Sequence, residues 1–301
     1  MIKNLLKYIL IICSLFVLSS VNFTYAYNNS NHPVRIICSR YREMPYEVFM
    51  TPYEACLYAL DDIDNPDHVH DVRLFLEWYL SRVNRSDKHG MSGTVYDFIL
   101  YGDIEKVLPQ YDSIDGYSGV ILFLLNKYYE ITDDVILIDL YWQQIEDIAY
   151  TIPFLQQKDG LTIALPDYRV KYLMDNSEAY GGIMSFLNLA QKTDKKINTA
   201  YYKSIADSIK RGIWEELYNS ENDSFRWSDE KEGGSVNWSN FYPDAYAQIF
   251  PIYYDILDDD RKYEVWKEFI ANHPAESWNK EPVEQAVFCG LVRKKMGRYV
   301  K

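Results

Sequence analysis

Apolar residues recur every three or four positions along most of this chain, and the polar gaps between these stripes are short. Val72, Phe75, Leu76, Tyr79, Leu80 and Val83 form one stripe. Leu137, Tyr141, Ile145, Ile148, Ile152 and Leu155 form a second, with Gln143, Gln144, Glu146 and Asp147 between them. Tyr202, Ile205, Ile209 and Ile213 form a third. A period near 3.6 belongs to a helix that buries one face. The run GVILFLL at 119–125 is apolar on all sides, as in a helix buried all round.

This periodicity predicts helices near 49–61, 67–84, 115–131, 134–157, 176–192, 196–218, 241–257, 259–272 and 280–297. Short extended pieces are expected at 93–100, 161–164 and 224–227. Linkers as short as TDD at 132–134 and DDD at 258–260 make neighbouring helices antiparallel hairpins. The expected fold class is therefore all-α. Acidic motifs sit at the starts of alternate helices (115–131, 176–192, 241–257), and the helices that follow have wider polar faces. Hairpins arranged in a ring would bring those starts to one end, as in an α/α toroid. A linear helical solenoid is the alternative.

Residues 1–26 read as an export signal. Lys3 and Lys7 precede an apolar stretch at 8–21, and TYA at 24–26 suits cleavage after Ala26. The apolar core is too short for a comfortable membrane span. Residues 27–301 then form a single domain, secreted or held in the cell envelope, with no integral span. The chain carries 31 basic and 44 acidic residues, a net charge of −13, and losing the two lysines makes it more negative. That balance argues against nucleic acid and anionic membrane as partners. Cys38, Cys56 and Cys289 remain after cleavage without any CxxC spacing, so neither a disulfide framework nor a zinc site is indicated, though one bridge stays open. His68 and His70 read as surface rather than as metal ligands. There is no Gly-rich phosphate loop, GxSxG elbow or HExxH, so no metal or cofactor is expected. NNS at 28–30 and NWS at 237–239 fit the glycan-acceptor pattern.

Three segments combine acids with aromatics. LTIALPDYRVKYLMDNSEAY at 161–180 holds Asp167, Asp175 and Glu178 among Tyr168, Tyr172 and Tyr180. YDSIDGY at 111–117 supplies Asp112, Asp115 and Tyr117, and WSNFYPDAYAQ at 238–248 supplies Trp238, Tyr242, Asp244 and Gln248. Aromatic rings stack on sugar faces, and paired carboxylates cleave glycosidic bonds. Three such segments on one face predict a single cleft for an oligosaccharide or polysaccharide.

Cleavage needs one acid held protonated and one base or nucleophile held ionised. A raised pKa requires an apolar site or a like-charged neighbour. Asp97, between Tyr96 and Phe98, fits that role, and Glu54 is the second candidate. Asp112, Asp115, Asp175 and Asp244 sit at predicted helix starts, where free N–H groups and the dipole favour the ionised form. They suit a base or a group that binds sugar hydroxyls. Asp175-Asn176-Ser177-Glu178 also fits a capping box, with Asp175 as N-cap and Glu178 at N3.

Several stretches together carry a resemblance: WYLSRVN (78–84), GTVYDF (93–98), DSIDGYSGVILFLLNKYYEITDD (112–134), QQKDGLTIALPDYRVKYLMDNSEAYGG (156–182) and FYPDAYAQIFPI (241–252). The chain resembles the six-hairpin glycosidase-like (α/α toroid) superfamily, particularly its secreted bacterial members, and distantly the family 8 glycosidases. The resemblance implies the toroid, possessing fewer than six complete hairpins if so short a chain cannot hold six, and a carbohydrate substrate. Asp115 looks similar to a family 8 aspartate that lies in the substrate cleft. The early glutamate that donates the proton in that family has only Tyr53-Glu54-Ala55 as its nearest counterpart, a poor match.

The catalytic candidates are thus Asp97, Asp115, Asp175 and Glu54. Asp112, Tyr117, Asp167, Glu178, Tyr180, Trp238, Tyr242, Asp244 and Gln248 are the candidates for binding substrate. The leading reading is a secreted glycoside hydrolase that inverts configuration, which requires carboxyl groups roughly 6.5–9.5 Å apart. A non-catalytic sugar-binding or envelope polysaccharide-assembly protein is the alternative. A polysaccharide lyase is a third, disfavoured by the sparse histidines.

Overall fold

The inner wall of the molecule is built from helices that touch each other in a closed sequence. A computed structural model describes residues 30–297, and the export signal read at 1–26 lies outside them. The chain begins with α1 (Pro33–Cys38), β1 (Glu47–Met50), α2 (Pro52–Asp62) and α3 (Val69–Ser81). Strands β2 (Phe98–Tyr101) and β3 (Ile104–Val107) precede α4 (Ile114–Thr132), α5 (Val135–Leu140) and α6 (Trp142–Leu155). Then come α7 (Leu173–Lys192), α8 (Thr199–Gly212), β4 (Tyr218–Asn219) and β5 (Ser224–Phe225). The C-terminal part holds α9 (Tyr246–Gln248), α10 (Phe250–Tyr253), α11 (Asp259–Asn272) and α12 (Val283–Met296).

Helix α2 packs on α4, α4 on α7, α7 on α10, α10 on α12, and α12 returns to α2. This closure makes the fold a toroid rather than an open solenoid. Helices α3, α6, α8 and α11 lie outside, each against an inner neighbour. Burial follows the same division. Nearly the whole first half of α4 is buried, from Ile114 to Leu125, whereas α8 buries only Ala206, Ile209 and Gly212.

Local chemistry sets many of these ends. Thr51 caps α2 by accepting from the Glu54 N–H, with Pro52 in the first turn. Asp133 ends α4 in the left-handed region at φ 53°, and Asp134 then caps α5. Asn198 caps α8, and Asp258 caps α11.

Glycine governs the tightest crossing. A Cβ on Gly182 would stand 2.6 Å from the Gly119 Cα, and one on Gly119 would stand 2.4 Å from the Glu178 carbonyl oxygen. Helices α4 and α7 therefore meet backbone to backbone, which no larger residue permits. Their first turns are brought together as a result.

The structure departs from the sequence expectations in identifiable places. The helix expected over 134–157 breaks at Tyr141, whose φ of −114° ends α5 before α6 begins. The helix expected over 241–257 is interrupted around Pro243, which follows a cis peptide from Tyr242, and again before Pro251. The short α1 was not expected, nor were β1 and β3, which flank β2 in an antiparallel sheet. Buried Arg35 ties α1 to this sheet by donating to the carbonyls of Met44, Pro45, Tyr46 and Gly102. The extended piece expected at 161–164 forms only an isolated bridge between Gln156 and Thr162. Cys38, Cys56 and Cys289 are free and buried. Among the described residues, no helix is long and apolar enough to cross a membrane.

Candidate active site

The inner helices α2, α4, α7 and α12 all turn their N-terminal ends toward one cavity of about 620 Å³. Thr51, Tyr53 and Glu54 come from the start of α2, Asp112, Ser113 and Tyr117 from that of α4. Met174 and Asp175 come from α7, and Glu284 and Gln285 from α12. Tyr242, Tyr246 and Phe250 come from the broken helical segment. Phe49 of β1, Asp97 just before β2, and Gln110 and Tyr111 after β3 complete the lining.

Asp97 is almost wholly buried, and the Tyr117 hydroxyl donates to its Oδ1 at 3.0 Å. Its backbone is fixed on both sides, with its N–H donating to the Gln110 carbonyl and its carbonyl accepting from Leu108. Burial pushes its pKa up to about 7, against the opposing effect of Tyr117.

Asp175 is the third residue of α7, with Tyr172 as N-cap. The capping box is therefore corrected: the helix starts three residues earlier than the sequence pattern suggested, and Glu178 lies a turn deeper. The Ser113 hydroxyl bonds the Asp175 carboxyl, while its buried Oδ2 has no hydrogen-bond partner. Burial raises the pKa of Asp175 well above the usual range, and Asp115, Glu178 and Asp112 raise it further.

Beneath the cavity lies a layer of buried acids. Asp115 accepts from the Gly116 N–H at 3.0 Å and from the Thr162 hydroxyl at 2.6 Å. Burial nonetheless pushes it up to about 7. Glu178 accepts from the Tyr53 hydroxyl at 2.7 Å, and burial raises its pKa well up despite that bond. Gly116 allows the convergence, because a Cβ there would stand 2.8 Å from Glu178 Oε2 and 3.3 Å from Asp175 Oδ1. The expectation that helix N-termini would keep Asp115 and Asp175 ionised is thus corrected. A dipole contributes roughly 0.3–1 kcal/mol, less than one pH unit of proton affinity, and burial among like charges outweighs it.

The remaining expected residues divide clearly. Asp112 lines the cavity and is open to solvent, yet the surrounding walls desolvate it enough to raise its pKa. Tyr242 is half exposed at the lining. Glu54 reaches the cavity but is clamped by Arg42, Nε to Oε1 at 2.6 Å and Nη2 to Oε2 at 3.1 Å, and Tyr58 also donates to it. It is half of an ion pair rather than a free acid.

Asp167, Tyr180, Trp238, Asp244 and Gln248 do not line the cavity. Asp167 is exposed beside His89. Asp244 accepts from the Asn237 N–H and the Asn240 amide, bracing its own turn. Buried Gln248 bonds both backbone groups of Phe225. Tyr180 and Trp238 pack against the main apolar core. Sequence reading missed Phe49, Ser113, Gln110, Glu284 and Gln285. Ser113 stood inside a quoted motif, whereas Glu284 and Gln285 carried no signal beyond following Pro282 at a helix start. Tyr53 lay beside Glu54, but its bond is to Glu178, 125 residues away in sequence, and left no local trace. Among the described residues, no group of three or more His, Cys, Asp or Glu is placed to hold a metal ion.

No protein-family model matches the sequence, and a search of curated proteins finds no match. Solved structures do match. A rhamnosidase from Klebsiella oxytoca with rhamnose bound aligns with a TM-score of 0.58 at 11% identity, covering 83% of this chain and 48% of that one. An alpha-L-rhamnosidase from Dictyoglumus thermophilum aligns with a TM-score of 0.53 at 16% identity, covering 82% and 26%. A GH78 rhamnosidase of Bacillus sp. GL1 aligns with a TM-score of 0.53 at 11% identity, covering 86% and 31%. The chain therefore spans less than half the length of these proteins. At such identities the likeness shows the fold alone.

Proposed function

We propose that this chain is a carbohydrate-active hydrolase that cleaves a glycosidic bond with Asp175 as proton donor and Asp97 as base. The observation that carries this reading is Asp175, whose carboxyl is enclosed among like charges yet opens on the cavity. Burial and the neighbouring acids favour its protonated form, as a general acid requires. Its proton passes to the glycosidic oxygen as the leaving sugar departs.

Asp97 comes from a different wall. Its pKa of about 7 suits a base working near neutrality. The Tyr117 hydroxyl holds Oδ1 and leaves the other oxygen to draw a proton from water. That water attacks the anomeric carbon from the face opposite the leaving group, so the reaction inverts configuration. The exposed rings of Phe49 and Tyr242 at the lining offer stacking surfaces for sugar faces. Asp112 accepts hydrogen bonds from sugar hydroxyls at the same edge. Export by the leader at 1–26 would place this activity outside the cytoplasm.

The test is reducing-end release from a panel of polysaccharides, followed by proton NMR of the fresh product. Release with the inverted anomer appearing first is expected. A retained anomer would replace water attack with a covalent intermediate, and no release from any glycan that the protein binds would leave a sugar-binding protein.

A further inference from the structure

The cavity is one-sided in charge. Glu54, Asp97, Asp112, Asp175 and Glu284 line it, and no Lys, Arg or His does. Of the basic groups nearby, Arg42 is clamped by Glu54, and exposed Lys88 lies over the Tyr111 ring at 5.0 Å from its centre. Three of the lining hydroxyls are also committed inward: Tyr53 to Glu178, Tyr117 to Asp97, and Tyr111 to Asp87.

Two lining residues carry unmatched oxygens. Asp175 Oδ2 and Gln285 Oε1 are both buried without a hydrogen-bond partner. The Gln285 oxygen is an acceptor, costly to leave unpaired, and calls for a donor from the ligand, whereas the protonated Asp175 carboxyl offers its own proton. Sugar hydroxyls and ammonium groups supply donors. A carboxylate or sulfate supplies only acceptors and brings negative charge to a lining that holds five carboxyl groups and no basic side chain to pair with it.

We infer that the cavity selects glycans by charge, taking sugars that are neutral or carry a free amine and rejecting those with carboxylate or sulfate groups. The inference rests on the carbohydrate reading above and names the substrate class of the same site. The net charge of −13 acts in the same direction at long range, repelling polyanionic chains before they reach the cavity.

The test uses the full chain on an array of neutral, amine-bearing, uronate and sulfated oligosaccharides. The best ligand is then titrated calorimetrically against its uronate counterpart. Binding should be confined to acid-free glycans, with the uronate weaker by about tenfold or more. A uronate or sulfated glycan that binds within about twofold of its neutral counterpart would overturn the inference. Glu284→Lys supplies a second arm: it should strengthen uronate binding, and no gain would count against charge as the cause. An acid-free glycan that binds but is never cleaved sinks the hydrolase and leaves charge selection standing. Cleavage of an acidic glycan does the reverse, and binding of nothing sinks both.

Discussion

Asp97→Asn should stabilise the protein at alkaline pH and leave it nearly unchanged in acid. Burial lifts Asp97 from 3.8 to about 7 in the folded chain. Below pH 3.8 both folded and unfolded chains hold the proton, and nothing is lost. Between pH 3.8 and about 7 the folded chain keeps a proton that the unfolded chain releases, so stability falls as pH rises. Above about 7 both forms are ionised and the cost is constant. At roughly 1.36 kcal/mol per pH unit the full cost is about 4 kcal/mol, and water in the cavity lowers it toward about 2 kcal/mol. Asn carries no charge and its oxygen can still accept from Tyr117. Scanning calorimetry at pH 4 and pH 8 is the assay. The variant should melt roughly 4–8 °C above the wild type at pH 8 and within about 1 °C of it at pH 4. An equal difference at both pH values, or a loss at pH 8, would refute the desolvation argument.

Gly182→Ala places a methyl 2.6 Å from the Gly119 Cα, so α4 and α7 must separate. A loss of about 1–3 kcal/mol or more in urea unfolding is expected, and an unchanged midpoint would show that the crossing is loose. Tyr53→Phe removes the hydroxyl bonded to buried Glu178. It should lower stability by about 1–2 kcal/mol in the same assay, and a neutral effect would mean the bond contributes nothing net.

The helical layers were legible because amphipathic stripes report burial directly, and α11 occupies 259–272 as its stripe and flanking aspartates predict. Toroid closure was not legible from the residues alone, since short linkers fix antiparallel neighbours in a solenoid as well as in a ring, and only the contact of α12 with α2 decides between them. Strands β1 and β3 were not legible: each has four residues, and only their pairing with β2 distinguishes them from loop. For the site, Asp97, Asp112, Asp175, Tyr117 and Tyr242 stood in motifs that do reach the cavity. Their electrostatics did not follow from position. A helix start suggests an ionised carboxylate, but the proton affinity of Asp175 depends on Asp115 and Glu178 arriving beside it through Gly116, which is a tertiary fact. Asp244 and Gln248 show the opposite case. Their segment is rich in acid and aromatic residues, yet their bonds to Asn237, Asn240 and Phe225 spend them on local structure.

The central claim is that two cavity carboxylates, Asp175 and Asp97, carry out bond cleavage. The most direct test measures kcat of Asp175→Asn and Asp97→Asn on a glycan that the wild type cleaves, with circular dichroism confirming the fold. Each variant should lose about 10²–10⁴-fold in kcat while remaining helical and cooperatively folded. Wild-type turnover in either variant would contradict the assignment of that residue, and wild-type turnover in both would remove this cavity as the place of the chemistry.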